Sequence, residues 1–225
     1  MTELNFAGCL FDLDGTLVSS IESVNRAWGQ VASKYQLDVE YVLSVIHGRT
    51  ADGCVRDLLR NQSLSTIEKE IEWLKDQESN DTNGVVAIEG ALEFLATLDQ
   101  NQIPWGIVTS CNIDVAQARM KAGGIPIPNV FVTFEDVTCG KPAPEPYLLG
   151  AKKLGVKPDK CIVFEDAIAG VASAKSAGAS VFGILSHATL SALSVDFGAD
   201  NYRHLSVDRV SKQSWKLTYD SNAND

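Results

Sequence analysis

No apolar stretch in the chain approaches the roughly 20 residues needed to span a bilayer, and the first residues lack a basic segment followed by an apolar core. A soluble, cytoplasmic protein without a membrane partner is expected. Basic residues are in the minority: 19 Lys and Arg stand against 29 Asp and Glu, a formal net charge of -10. A nucleic-acid partner is therefore not expected, because a phosphate backbone requires basic patches. An anionic small substrate remains compatible, since only the local field of a site matters to it. The five cysteines (Cys9, Cys54, Cys111, Cys139, Cys161) are odd in number, widely spaced and free of any C-x-x-C pair, so they indicate neither a disulfide framework nor a thiolate zinc site. No His or Cys cluster offers a softer metal a home, and repeats, low-complexity tracts and heptads are absent. What remains is a 225-residue chain with 45% hydrophobic residues, enough for one large domain or a core plus a small insert.

The most informative stretch is Phe6 to Val18, where the apolar run Phe6-Ala7-Gly8-Cys9-Leu10-Phe11 ends in Asp12-Leu13-Asp14-Gly15-Thr16-Leu17. Such a run suits a strand covered on both faces in a parallel sheet. Asp12 and Asp14 are two apart and can project to the same side of the strand end. Two close carboxylates repel unless a cation sits between them, and Mg2+ is the natural candidate. Asp-x-Asp-Gly also occurs in ordinary turns, so the assignment depends on the rest of the chain.

From Ile21 to Tyr35 apolar residues recur at helical spacing. Tyr41 to Ile46, His47-Gly48-Arg49-Thr50 and Val55, Leu58 and Leu59 read as helix, turn, helix. Ser65-Thr66-Ile67-Glu68 matches a capping box ahead of a further helix, and Asn80-Asp81-Thr82-Asn83-Gly84 breaks it. Residues 18–84 are thus an all-helical insert after the first strand, and residues 1–17 and 85–225 form the other unit. There helix and strand alternate: helix from Gly90, strand Pro104 to Val108, helix from Ile113, strand Val130 to Phe134, helix from Pro146, strand Cys161 to Phe164, helix from Ala167, strand Val181 to Leu185. This order predicts an α/β fold with a doubly wound parallel sheet, whose ligands bind at the carboxyl ends of the strands. The polar residues from Tyr219 to Asp225 read as a disordered tail.

Three further signals lie at predicted strand ends. Ser110 follows one strand, with Asn112 near the start of the next helix, where a hydroxyl and free backbone N–H groups either hold an anion or simply cap the helix. Lys141 sits in Gly140-Lys141-Pro142-Ala143-Pro144, a loop stiffened by prolines. Glu165-Asp166 ends a strand and opens a helix, a placement that the helix dipole alone also favours. Taken in order, Asp12-Leu13-Asp14-Gly15-Thr16-Leu17, Ser110, Lys141 and Glu165-Asp166 resemble the four motifs of the haloacid dehalogenase (HAD) superfamily of phosphotransferases and phosphatases.

The resemblance implies a Rossmann-like core with a small helical cap, residues 18–84, inserted between the first and second motifs. It implies Asp12 as nucleophile and Asp14 as the acid that protonates the leaving group and later deprotonates water. Ser110, Asn112 and Lys141 would bind phosphate. Mg2+ would be held by Asp12, Asp14 through its backbone carbonyl, and Asp166, with Glu165 in the same acidic set. Asp12, with an unperturbed pKa of about 3.9, needs no base at neutral pH, but each pair of like charges at ~4 Å costs ~4 kcal/mol at an effective dielectric of ~20, so cations must offset its approach to phosphate. Arg49, at the cap's interhelix turn, is expected to touch substrate. The expected activity is a Mg2+-dependent phosphatase, a monomer acting on a small phosphorylated sugar or polyol. The alternative is a phosphomutase of the β-phosphoglucomutase type. Members of that group carry a histidine twelve residues after the nucleophile, which helps keep water from the phosphoenzyme, and here that position is Val24.

Overall fold

The computed structural model describes residues 2–186 and 188–219. The chain begins with β1 (Thr2–Phe6) and β2 (Gly8–Phe11), followed by the short β3 (Val18–Ser19) and the helices α1 (Ile21–Lys34), α2 (Val39–Ile46), α3 (Ala51–Leu58) and α4 (Leu64–Asn80). It continues through β4 (Val86–Ala87), α5 (Ala91–Gln100), β5 (Trp105–Val108), α6 (Ile113–Gly123), β6 (Val130–Val132), α7 (Glu145–Leu154), β7 (Cys161–Glu165), α8 (Ile168–Ser176) and β8 (Ser180–Ile184). The remaining elements are α9 (Leu190–Leu193), β9 (Gly198–Ala199), β10 (Leu205–Ser211) and β11 (Ser214–Tyr219).

Six of these strands form a parallel sheet in the order β6-β5-β2-β7-β8-β9. The chain moves outward from β2 to β5 and β6, then returns to the other side of β2 with β7. The order therefore reverses beside β2, which places the ligand crevice at its carboxyl end. Alternation along the central strands divides two apolar layers. Cys9, Phe11, Ile107, Ile162 and Phe164 face α5 and α6, where Phe94, Leu95, Leu98 and Met120 pack. Leu10, Val108 and Val163 face α7 and α8 with Tyr147, Ala151, Val171 and Ala174. Phe11 stacks on Phe164 at 4.6 Å between ring centroids, locking the two strands that carry the acidic residues. Complete burial of these aromatics is the sort of contact that contributes several kcal/mol per residue.

The four helices after β3 build a separate apolar cluster around Trp28, Val31, Val42, Val55 and Leu74. β3 and β4 pair antiparallel where the chain leaves and re-enters the α/β unit. This arrangement matches the expected doubly wound sheet with a helical insert.

Several local expectations are corrected. The run Phe6 to Phe11 is not one strand: Phe6 ends β1 in a three-stranded antiparallel sheet, order β1-β11-β10, while Gly8 starts β2 in the parallel sheet. The break follows from packing, because Phe6 pairs opposite Trp215 whereas a Cβ on Gly8 would lie 3.3 Å from the Pro104 carbonyl oxygen. Ser65 does not cap α4. Ser63 does, accepting from the Thr66 N–H at 3.2 Å. The strand at Val130 stops at Val132, because Thr133 and Asp136 form a capping box for one turn of 3-10 helix. Tyr219 is not tail but the last residue of β11, buried at 8% exposure, and residues 220–225 lie outside the described residues.

Candidate active site

The carboxyl ends of β2, β5 and β7 converge on one point. Asp12 leaves β2 with its N–H bonded to the Phe164 carbonyl at 3.0 Å, so its backbone is still held by the neighbouring strand. Lys141, from the loop between β6 and α7, reaches into the same point and is almost fully buried. Its Nζ donates to Asp12 Oδ1 at 2.5 Å, to Glu165 Oε1 at 2.7 Å and to the Val108 carbonyl at 3.0 Å. All three ammonium donors are thereby used, and the charge is shared between two carboxylates.

Glu165 is fully buried and its oxygens are taken up. Oε1 also accepts from the Tyr147 hydroxyl at 2.7 Å, and Oε2 accepts from the backbone N–H groups of Asp166 and Ala167. Asp166 accepts from Thr16 Oγ1 at 3.1 Å. Two glycines make these approaches possible. Gly15 has φ +81°, and a Cβ there would lie 1.9 Å from Asp166 Oδ2; a Cβ on Gly170 would lie 1.7 Å from Glu165 Oε1. Side chains at either position would displace the acids.

Asp12, Glu165 and Asp166 offer carboxylate oxygens within 4.8 Å of one another. Burial, with help from the neighbouring carboxylates, raises the Asp12 carboxyl to about 7 against the pull of Lys141. Without a metal ion beside it, desolvation outweighs its one ammonium partner, so the Asp12 carboxyl lies above the ordinary carboxylate value expected from the sequence. Asp166 is likewise pushed well upward, first by burial and then by Asp12 and Glu165. Burial works to lower Lys141, and the two carboxylates more than offset it, so the ammonium stays charged. Three acids against one cation leave negative charge uncompensated, and oxygen-only donors suit a hard dication. The residues present therefore fit Mg2+.

Asp14 points elsewhere. Its Oδ1 accepts from Ser20 Oγ at 2.5 Å, and its Oδ2 takes Arg119 Nη1 at 2.8 Å and the Cys111 thiol at 3.1 Å. Arg119, on α6, also lies 3.3 Å from Glu78 on α4. Above the acids lies a cavity of about 270 Å3 whose walls include Asp12, Asp14, Ser110, Asn112, Arg119, Glu78, Arg49, His47 and Val24.

Among the expected phosphate binders, Ser110 donates to the Gly48 carbonyl at 3.3 Å, tying it to the α2–α3 turn. Asn112 caps α6 by accepting from the Val115 N–H at 3.0 Å, so its oxygen serves the helix. Arg49 stands at the cavity wall paired with Asp57. Of the residues that the sequence singled out, the structure brings Asp12, Lys141, Glu165 and Asp166 together and sets Asp14, Ser110, Asn112 and Arg49 around the cavity; the sequence reading missed Thr16, Ser20, Tyr147, Arg119 and Glu78. Thr16 lay inside the quoted motif and Tyr147 five residues beyond Pro142. Arg119 and Glu78 carried no local signal, since each sits in an ordinary helix.

The family model described as haloacid dehalogenase-like hydrolase matches residues 6–178, a span that includes every one of the clustered acids and Lys141. Hexitol phosphatase A of Escherichia coli is 46% identical over 177 residues, covering 79% of this chain and 82% of that protein. Glycerol-1-phosphate phosphohydrolase 2 of Saccharomyces cerevisiae is 35% identical over 193 residues, covering 80% and 75%. Among solved structures, a hydrolase from Pseudomonas syringae superposes with a TM-score of 0.78 at 29% identity, covering 86% of this chain and 92% of that one.

Proposed function

The chain belongs to the haloacid dehalogenase-like hydrolase family, and from that premise we propose that it is a Mg2+-dependent phosphatase of small polyol or sugar phosphates, with hexitol phosphates the first to be tried. The observation that carries this reading is the meeting of Asp12, Glu165 and Asp166, with the Lys141 ammonium held between Asp12 and Glu165 and with Asp12 reaching the wall of the cavity. Similarity to phosphatases named for hexitol and glycerol phosphates supports the substrate class.

In the proposed reaction an Asp12 carboxylate oxygen attacks phosphorus and the bond to the leaving oxygen breaks. Asp14 supplies the proton that the leaving alkoxide takes up. Water then attacks the aspartyl-phosphate, gives its proton to Asp14, and the bond between Asp12 and phosphorus breaks. Asp12, Asp166 and the Asp14 main-chain carbonyl would hold Mg2+, which supplies positive charge for the phosphoryl oxygens. Lys141 brings further positive charge to the same place, and Ser110 and Asn112 line the phosphate side of the cavity. Glu165, with both oxygens engaged, serves chiefly to hold Lys141 and the start of α8. Residues 18–84 act as the cap that excludes water and reads the leaving group.

The second reading, a phosphomutase, is disfavoured by Val24, an apolar residue in the cavity wall where a water-excluding histidine would be needed. A phosphate-release screen over sugar, polyol and nucleotide phosphates tests the proposal. Incubation with β-glucose 1-phosphate and a trace of the 1,6-bisphosphate tests the alternative: conversion to glucose 6-phosphate outrunning phosphate release would overturn the phosphatase reading.

A further inference from the structure

Arg119 is a buried cation, 2% exposed, placed where α6 of the core meets α4 of the helical insert. One side of its guanidinium faces Asp14 Oδ2 at 2.8 Å and the other faces Glu78 Oε1 at 3.3 Å, and Glu78 is itself only 6% exposed. Its Nε has no hydrogen-bond partner, and its Nη2 meets Glu78 only as an ion pair without hydrogen-bond geometry. Fold stability is a poor account of such a residue. Burying ionic groups with incomplete hydrogen bonding costs as much as it returns, and an apolar side chain of similar volume would serve the packing at least as well. All three residues of the chain Asp14–Arg119–Glu78 line the cavity above Asp12.

We propose that Arg119 is a positioning residue for Asp14, and that Glu78 makes this positioning depend on how the helical insert is seated. The inference rests on the role of Asp14 given above. Ser20 fixes one carboxylate oxygen, and Arg119, the charged partner beside the weaker Cys111 thiol donor, fixes the other, so the Asp14 carboxyl has one orientation toward the cavity rather than several. Glu78 draws on the opposite side of the same guanidinium. With α4 packed on α6, Arg119 divides its attraction between two carboxylates. With α4 displaced, it would close on Asp14 alone and hold that group away from the reacting atoms. Seating of the insert over a substrate that fills the cavity is thereby transmitted to the proton-transferring group through one side chain.

The test exploits leaving groups. A polyol phosphate such as sorbitol 6-phosphate leaves as an alkoxide and needs the Asp14 proton, whereas p-nitrophenyl phosphate leaves as a stable phenolate and does not in its first step. General acid catalysis is typically worth about 100-fold or more, so Arg119→Met is expected to lower kcat on sorbitol 6-phosphate by about 10-fold or more with KM little changed. First-turnover release of nitrophenolate should stay within about threefold of wild type. Glu78→Gln, which keeps shape and removes only the charge, is expected to shift the same ratio in the same direction by less. Equal loss on both substrates in Arg119→Met, or no loss on either, overturns the inference. An unchanged ratio in Glu78→Gln overturns the coupling to the insert, and that variant decides alone if Arg119→Met does not fold. If Asp14→Asn leaves sorbitol 6-phosphate hydrolysis intact, the proposed function falls and this inference with it.

Discussion

Burial raises Asp12 to about 7 from an ordinary value of 3.8 and pushes Asp166 up as well. Between those two values the folded state holds protons that the unfolded chain has released, so without metal these carboxyls cost stability progressively as pH rises through that window. A dication competes with the same protons. The rise in Tm on adding saturating Mg2+ is therefore expected to be larger at about pH 7.5 than at about pH 5.5. A rise independent of pH, or none, contradicts the assignment of the acids as ligands. Arg49 belongs to the same scale. It is paired with Asp57 at the cavity wall, and its proposed role is to meet the leaving group. Arg49→Ala should lower kcat/KM about 10-fold for a polyol phosphate, the loss of roughly one charge-assisted hydrogen bond, while leaving p-nitrophenyl phosphate nearly unchanged. Equal losses on both would remove Arg49 from substrate selection.

Elements bring the two units together at few points, and the α2–α3 turn is one of them. Gly48 there has φ +72°, and a Cβ on it would lie 2.4 Å from the Ala167 Cβ, while its carbonyl accepts from Ser110. Gly48→Val adds bulk in a left-handed conformation against the residue that follows Asp166. Overpacking of this kind costs about 1–3 kcal/mol, and lifting the turn relieves it without unfolding the core. The expected result is a kcat/KM on polyol phosphates reduced about 10-fold or more with a small change in Tm. Wild-type kcat/KM would show that the turn does not need to seat. A further contact, Lys75 with Asp114 at 3.3 Å, ties α4 to α6, the two helices that the Glu78–Arg119 pair also joins.

At the scale of the whole molecule, the parts legible in sequence were those where a local pattern carries the chemistry. Asp12 to Thr16 and Glu165-Asp166 each follow an apolar run that places them at strand ends, and Lys141 stood out through the prolines that stiffen its loop. The helical insert was legible for the same reason, since its stripes are regular at helical spacing. The sheet of β1, β11 and β10 was not foreseen, although Trp215, Leu217 and Tyr219 alternate with Lys216 and Thr218 as a half-buried strand should. Its partner β1 lies more than 200 residues away, and a pairing of that range leaves no trace in either segment alone; Leu4 meets Leu217 only in the fold. Arg119 and Glu78 were hidden on the same principle, being ordinary helix residues until α4 and α6 pack. The net charge of -10 is likewise a property of the whole and a poor guide to the site, where the Lys141 ammonium is held directly against Asp12.

The central claim is that Asp12 is the nucleophile of a Mg2+-dependent phosphate release, and the most direct measurement is the rate of inorganic phosphate release from a hexitol phosphate by wild-type protein, chelator-treated protein and Asp12→Asn. Asp12→Asn keeps the shape and removes the attacking charge, so its rate is expected to fall below about one hundredth of the wild-type rate. Chelation should abolish release, and added Mg2+ should restore it. An Asp12→Asn protein that retains more than a few per cent of the activity, or release unaffected by chelator, would contradict the account.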